Sequence, residues 1–375
     1  MSNETNVSAG EPSSSRRLHR WAVLIVCLVW PLIWVGGLVT TYDAGMAVPD
    51  WPGTYGKNLF LYPYQTWLFG PFDLFIEHGH RLLGAIVGFV AIIAVIVAWM
   101  TEQRSWVRWL SVGLLVAVIG QGVLGGMRVV LSDRTLAMVH GCTGPLFFVI
   151  CVALAVVTGR WWRNQTESES VSGPVPGRGA IWLAAAVTML AYVQLLLGAQ
   201  LRHVQVTASP SGFTHLVSTH ITGAFVLWLL VGILAWRMSR LPAVGQSPVS
   251  DQKGEAAKAG CGDLTLSRPA RVLVGLVGVQ IALGLGTWVA TYGWPYFAQF
   301  GPASAGYLVK SKAFTESLIT TAHVATGSLI LAVGAMMWLR LLRARFCRSE
   351  PSRVERGELL IQHRTLEKRQ RLQVS

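Results

Sequence analysis

The sequence predicts an all-α integral membrane protein, with eight transmembrane helices arranged as two similar four-helix bundles. Three observations lead there. Of 375 residues, 52% are apolar and only 13% charged, against roughly 25% charged in soluble domains. Eight apolar runs are each about 20 residues long, enough to cross a hydrocarbon core of about 30 Å at 1.5 Å per residue. A helical-hairpin pattern also recurs four times along the chain. The runs lack period-two alternation, so they satisfy their backbone groups as helices rather than as a barrel.

The elements follow in order. Residues 1–20 are a tail whose first fifteen are polar and Ser-rich, with the composition of disordered sequence. Arg16, Arg17 and Arg20 precede the first span, 21–41. That span has no small-residue cleavage pattern and reads as a helix, not a removable signal. A long loop, 42–77, carries "VPDWPGTYG" and leads to spans 79–100, 106–126 and 136–159. Linker 160–178 divides the spans four and four. Spans 179–200 and 214–236, a Gly/Pro/Ser/Lys linker (237–269) and span 270–290 come next. A second long loop, 291–317, contains "YGWPYFAQFGP" and precedes span 318–340 and a basic tail, 341–375. The two halves are therefore 21–159 and 179–340, and the aromatic loops read as lids or interfacial belts.

A net charge of +13 raises the possibility of nucleic acid, but the placement of the charges points to lipid. With the N-terminus inside, 24 of the 31 Lys and Arg fall in segments on one side, and only Lys57, Arg81, Arg128, Arg134, Arg202, Lys310 and Lys312 on the other. This positive-inside bias predicts a bacterial-type cytoplasmic membrane with both termini cytoplasmic. From Arg343 to Arg371 the tail has nine basic residues and four Glu, suited to anionic headgroups. The five Cys (27, 142, 151, 261 and 347) show no metal-ligand spacing, and no disulfide is predicted.

The repeat has two parts. Spans 3, 5 and 7 end in "QGVLGGMR" from Gln121, "QLLLGAQLR" from Gln194 and "QIALGLGTW" from Gln280, each with Gly four residues after Gln. Spans 2, 4, 6 and 8 begin with "HRLLG" from His80, "HGCTG" from His140, "HITGA" from His220 and "HVATG" from His323, each with Gly or Ala four residues after His. Gln and Gly alone read as packing devices, since small residues let helices approach and Gln bonds across them.

The histidines carry the chemistry. Each lies within about seven residues of its span's outer start, so topology puts four imidazoles in one layer, within roughly 10 Å of the boundary. A single membrane histidine reads as an interhelical hydrogen bond; four in register, each followed by a small residue, point to a shared ligand role. Zinc favours closer His/Cys spacing. Facing histidines in four-helix bundles can hold haem iron from both axial sides, which pairs His80 with His140 and His220 with His323. His78 reads as interfacial, and His19, His203, His215 and His363 as loop or tail residues, with His215 the rival to His220. Only the first pair has a carboxylate beside it: Glu77, three residues before His80 and on the same helix face. Its structural alternative is an ion pair with Arg81.

With these residues in place, the chain resembles the haem A synthase family over residues 21–340. The resemblance rests on Glu77-x-x-His80-Arg81, the His in every even span, the eight-span repeat and "GGLVTTYDAGMAVPDWPGTYG" after span 1. It implies oxidation of the ring methyl of haem O to the formyl of haem A by successive O2-dependent hydroxylations. It further implies His80 and His140 as axial ligands of the substrate haem, with Glu77 as the catalytic residue, and His220 and His323 as ligands of a resident haem b. The implied partners are haem O, O2, haem O synthase and cytochrome oxidase assembly proteins, with room for a homo-oligomer. Many bacterial members carry a Cys pair flanking the Trp-Pro segment of the first loop; here Val48 and Thr54 stand there, so no disulfide or thiol relay is available. No arginine follows His140, His220 or His323. Two other classes fit part of the pattern: a bis-histidine cytochrome that carries electrons without oxidising haem, and a transporter whose repeats rock about a polar layer.

Overall fold

A computed structural model describes residues 13–167, 177–204, 208–240, 266–293 and 314–349. Ten helices run in order: α1 Ser13–Thr41, α2 Tyr64–Leu68, α3 Phe72–Thr101, α4 Ser105–Val130, α5 Arg134–Thr158, α6 Arg160–Glu167, α7 Arg178–Arg202, α8 Pro210–Ser239, α9 Ser267–Tyr292 and α10 Phe314–Ser349. Eight of them are long and apolar enough to cross a membrane. Among the described residues there is no strand, only an isolated bridge between Thr54 and Lys57. Large apolar side chains stand exposed along the long helices, for example Phe89, Val116, Trp182 and Leu229. A water-soluble bundle would bury such a surface; in lipid it is the favoured exterior.

Helices α1, α3, α4 and α5 share one packed core built on Leu18, Ile25, Val87, Leu114, Phe148 and Leu154. Helices α7, α8, α9 and α10 share another, on Val187, Leu227, Leu234, Leu273 and Met337. The seam between them is made by α10 against α1 and α5. Thr41 and Thr321 meet there with hydroxyls 3.2 Å apart. Interhelical packing in lipid gains from close contact and a few hydrogen bonds, about 1 kcal/mol each, rather than from expulsion of water. Small residues at the contacts (Ala91, Ala94, Ala184, Ala270) make that approach possible.

The helices extend past the apolar runs because capping, not hydrophobicity, sets their ends. Asp133 caps α5 by accepting from the Thr135 and Leu136 amides at 2.6 and 3.1 Å, and Ser209 caps α8 ahead of Pro210. The histidines consequently lie eight, six, ten and nine residues into α3, α5, α8 and α10, so that all but His140 are deeper than the seven expected.

Other expectations also shift. Linker 160–178 opens with helix α6, α10 runs beyond position 340 into the segment read as tail, and the first loop contains the turn α2. His19 and His215 lie in helices rather than loops; His19 faces the Thr158 hydroxyl at 3.3 Å, and His215 is exposed. Cys27, Cys142 and Cys151 are unpaired. The linker 241–265 with Cys261, the second loop at 294–313 and the tail from 350 with His363 fall outside the described residues.

Candidate functional site

The four histidines meet in two facing pairs. The rings of His80 and His140 stand 6.3 Å apart between centroids with planes 88° apart; those of His220 and His323 are also 6.3 Å apart, at 69°. A metal between two axial imidazoles separates their centroids by roughly 6 Å, taking about 2 Å per metal–nitrogen bond and about 1 Å from nitrogen to ring centre. Each gap is therefore the size of one bis-histidine metal site. His215 belongs to neither pair.

A similar setting, a backbone carbonyl and a glycine four residues on, surrounds every ring. His323 Nδ1 lies 3.1 Å from the Gln280 carbonyl. That nitrogen must donate, because a carbonyl only accepts, so Nε2 carries the lone pair, which here faces the Gln280 side-chain amide at 3.3 Å. The rings of His80, His140 and His220 face the carbonyls of Leu32, Gln121 and Gln194. Their Nδ1 atoms stop short of hydrogen-bond geometry and are otherwise unpartnered. Four residues beyond each carbonyl is a glycine against which the ring edge packs. A Cβ built there would lie from His Cε1 by 2.7 Å at Gly36, 3.2 Å at Gly125, 3.4 Å at Gly198 and 3.0 Å at Gly284. Sequence reasoning treated the Gln and Gly positions as generic packing; their role is to receive the imidazoles. On the histidine helices, a Cβ added at Gly84 meets nothing within 4 Å, the open space expected beside His80. Among the described residues no three His, Cys, Asp or Glu converge as a metal cluster.

The first pair alone has a described cover, the loop from Asp43 to Pro71. Arg81 holds it, donating to the carbonyls of Val48 (2.7 Å), Asp50 (2.5 Å) and Gly53 (2.9 Å) and to Glu77 (2.9 Å). Glu77, 2% exposed, accepts the Val48 amide at 2.8 Å with its other oxygen. The ion pair anticipated as its structural alternative is thus present, and both carboxylate oxygens are engaged. The Trp51 indole lies against Gly126, where a Cβ would come within 2.3 Å of it. Asp50 accepts the Tyr55 and Gly56 amides at 2.7 and 2.8 Å. Burial disfavours its charge, but these amides and Arg81 outweigh that and hold the carboxyl below its ordinary range.

His78 is a correction: it is 1% exposed, not interfacial. Its Nδ1 pairs with the Thr54 hydroxyl at 3.0 Å, and Tyr62 and Trp67 pack on its ring. The loop folds back over the helix face turned away from the bundle, which periodicity alone leaves to solvent. Val48 and Thr54, the positions at which the resemblance leads one to expect a cysteine pair, are both fully buried. Hydrogen bonds to α3 fasten this loop at the positions a disulfide would cross-link. A separate cavity of about 420 Å³ between α5, α7 and α8 is lined by Arg134, Gln200 and His203 among others; none of the four paired histidines borders it.

These features define a polytopic membrane protein with two facing histidine pairs, one of them lidded and beside a buried carboxylate. Residues 19–203 match the COX15-CtaA family model, described as cytochrome oxidase assembly protein. The chain is 28% identical over 200 residues to a heme A synthase of Shouchella clausii, covering 52% of this chain and 62% of that one. It is 24% identical over 243 residues to one from Alkalihalophilus pseudofirmus (60% and 78%), and 28% over 265 residues to one from Methylobacterium nodulans (65% and 70%). Over residues 19–203 the chain is thus similar to this family, and the relatives it matches are heme A synthases. Its match to the Shouchella relative spans less than two thirds of that protein's length.

Proposed function

We propose that the protein is a haem A synthase, oxidising the ring methyl of haem O to a formyl group. The observation that carries this is an asymmetry among the described residues: both pairs present imidazoles at iron-holding separation, but a covering loop, and a buried carboxylate three residues before a paired histidine, are described only at His80 and His140. We assign the substrate haem to that pair, in half 21–159. His220 and His323, in half 179–340, would hold a haem b, which supplies reversible one-electron relay when bound. The matched gaps fit flat macrocycles in both places, and the room at Gly84 adds to this at the first.

The chain's own residues do the rest. His80 and His140 fix the substrate in the gap, and Trp51, Val48 and the Arg81 clasp close the loop over it and exclude water. Two hydroxylations, each consuming one O2 with two electrons and two protons, take the methyl to a geminal diol, which loses water to the aldehyde. Glu77 places a negative charge at this site. For it to move a proton, the bond from Arg81 or from the Val48 amide must open, which ties its chemistry to lid movement. In this reading the histidine layer faces outward and both termini are cytoplasmic. Haem O synthase delivers the substrate, and cytochrome oxidase assembly proteins receive the product.

Co-expression with a source of haem O, followed by extraction and chromatography of the haems, tests the proposal. Haem A or its hydroxylated precursor should accumulate. Unchanged haem O with an intact bis-histidine spectrum would instead make the protein an electron carrier, and purified protein without haem absorbance would favour the transporter. His323→Ala should remove the haem b signal; removal by His80→Ala instead would reverse the two halves.

A further inference from the structure

We propose that Arg128 and Arg202 form a carboxylate subsite that takes the propionates of the porphyrin bound between His80 and His140. The inference rests on the haem reading of that pair. Arg128 lies on α4 three residues past Gly125, the glycine that receives His140, towards the end covered by the loop. The loop makes room for it: a Cβ on Gly45 would stand 2.8 and 2.9 Å from its Nη1 and Nη2. Its charge reaches both imidazoles of the pair. Arg202, the last residue of α7, crosses the seam from the other half. Its guanidinium donates to the Gly37 carbonyl at 2.7 Å and to the Thr41 hydroxyl.

The charges do not balance. Arg202 lies in the field of Arg128, and Arg128 in that of Arg81. Among the described residues Glu77 is the one carboxylate acting on Arg128, and none acts on Arg202. Glu77 is itself occupied by Arg81 and the Val48 amide. Arg81 thus has Glu77 and also acts on Asp50, whereas Arg128 has only the field of the already engaged Glu77 and Arg202 has no carboxylate among the described residues. Unpaired charge is costly where water is scarce, and an anion entering the gap would relieve it. A guanidinium binds a carboxylate best, through two parallel N–H bonds. Haem O brings two such carboxylates, and the methyl that becomes the formyl shares its pyrrole with one of them. A propionate on Arg128 therefore holds that methyl at the loop end of the gap, where Glu77 stands. Each propionate pyrrole carries one methyl, so Arg128 is in this sense a positioning residue that turns the propionate-side methyls, rather than those beside the vinyl and farnesyl groups, towards the loop.

The test uses the full-length protein in detergent, titrated with ferric haem b and, separately, with its dimethyl ester, while the Soret band is followed. His80→Ala identifies the signal belonging to the first pair. There the diacid should bind about ten- to a hundredfold more tightly than the diester, the range for hydrogen bonds to charged groups. Arg128→Gln should weaken the diacid by a similar factor and leave the diester unchanged, and Arg128→Lys should restore part of the preference. Equal binding of the two porphyrins to the wild type, as when a lipid phosphate fills the subsite, overturns the arginine assignment, and does so without any variant. A titration that His80→Ala does not alter overturns the haem site itself, and the subsite with it.

Discussion

Replacing the glycines that receive the imidazoles should weaken haem binding in proportion to the space each one lacks. At Gly36 an added methyl would stand 2.7 Å from His80 Cε1, short of the 3.4 Å of ordinary contact by about 0.7 Å. On the proposed reading a bound metal would hold the ring on its far side, so the ring could not retreat from the added methyl without weakening its hold on that metal. Overpacking of this kind costs about 1–3 kcal/mol, roughly fivefold to a hundredfold in affinity. Gly284→Ala (3.0 Å) and Gly125→Ala (3.2 Å) should cost less, and Gly198→Ala (3.4 Å) almost nothing. Alanine also favours the helix by about 1 kcal/mol over glycine, so loss of haem should not be accompanied by general unfolding. Haem titration with absorbance, combined with thermal melting in detergent, measures both quantities. Gly36→Ala and Gly125→Ala should affect the first pair only, and Gly284→Ala the second. A Gly36→Ala protein that binds like wild type, or a Gly198→Ala protein as impaired as Gly36→Ala, would refute the reasoning.

Other perturbations separate roles that share a residue. Glu77→Ala breaks a buried ion pair and frees the Val48 amide, a loss of about 3 kcal/mol or more, so limited proteolysis should cut the loop near Trp51 faster. Glu77→Gln keeps an acceptor for Val48; if haem A formation falls while the loop stays protected, the charge acts in the chemistry and not only in the clasp. His203, just past the end of α7, is pushed down to about 4 by burial first and then by Arg202, Arg134 and Arg128. The fold therefore favours its neutral form: stability is full above pH 6.5 and declines as pH falls from 6.5 towards 4. Melting of His203→Gln should lose part of that decline, and an unchanged profile would contradict it. His215→Ala should leave the second haem signal intact, whereas His220→Ala should abolish it.

Legibility in the sequence varied with the range of the interaction. Eight spans were visible because burial in lipid is written in contiguous apolar runs, and the four histidines because topology returns every second helix to the same face. Pairing of His80 with His140 and of His220 with His323 followed from the repeat. The clasp was not legible: Arg81 uses backbone carbonyls of residues 48, 50 and 53 as acceptors, and backbone groups leave no mark on residue identity. His78 was misplaced for the same reason, since its cover comes from a loop whose path periodicity does not encode. Arg128 and Arg202 read as ordinary outer-side charges; only the fold brings them from different halves to one gap.

The first hairpin shows which part of the repeated device matters. Three of the four rings face the backbone carbonyl of a Gln, yet at His80 that place belongs to Leu32, which has no amide to offer. A carbonyl at one position and a glycine four residues on are common to all four; the Gln side chain is not. The amides go to different partners: Gln121 donates to Thr143 at 2.7 Å, while Gln280 Nε2 lies 3.3 Å from His323 Nε2, the nitrogen left for a metal. The Nδ1–carbonyl bond is formed at His323; on the proposed reading it orients that ring, and the amide satisfies the neighbourhood until a metal binds. Gln280→Leu should retain the His323-dependent haem spectrum and bind haem at least as tightly, because no amide has to be displaced from Nε2. It should cost about 1 kcal/mol or less in melting stability. Loss of that spectrum would show that the amide, not the carbonyl, orients the ligand, and Leu32 would then need another explanation.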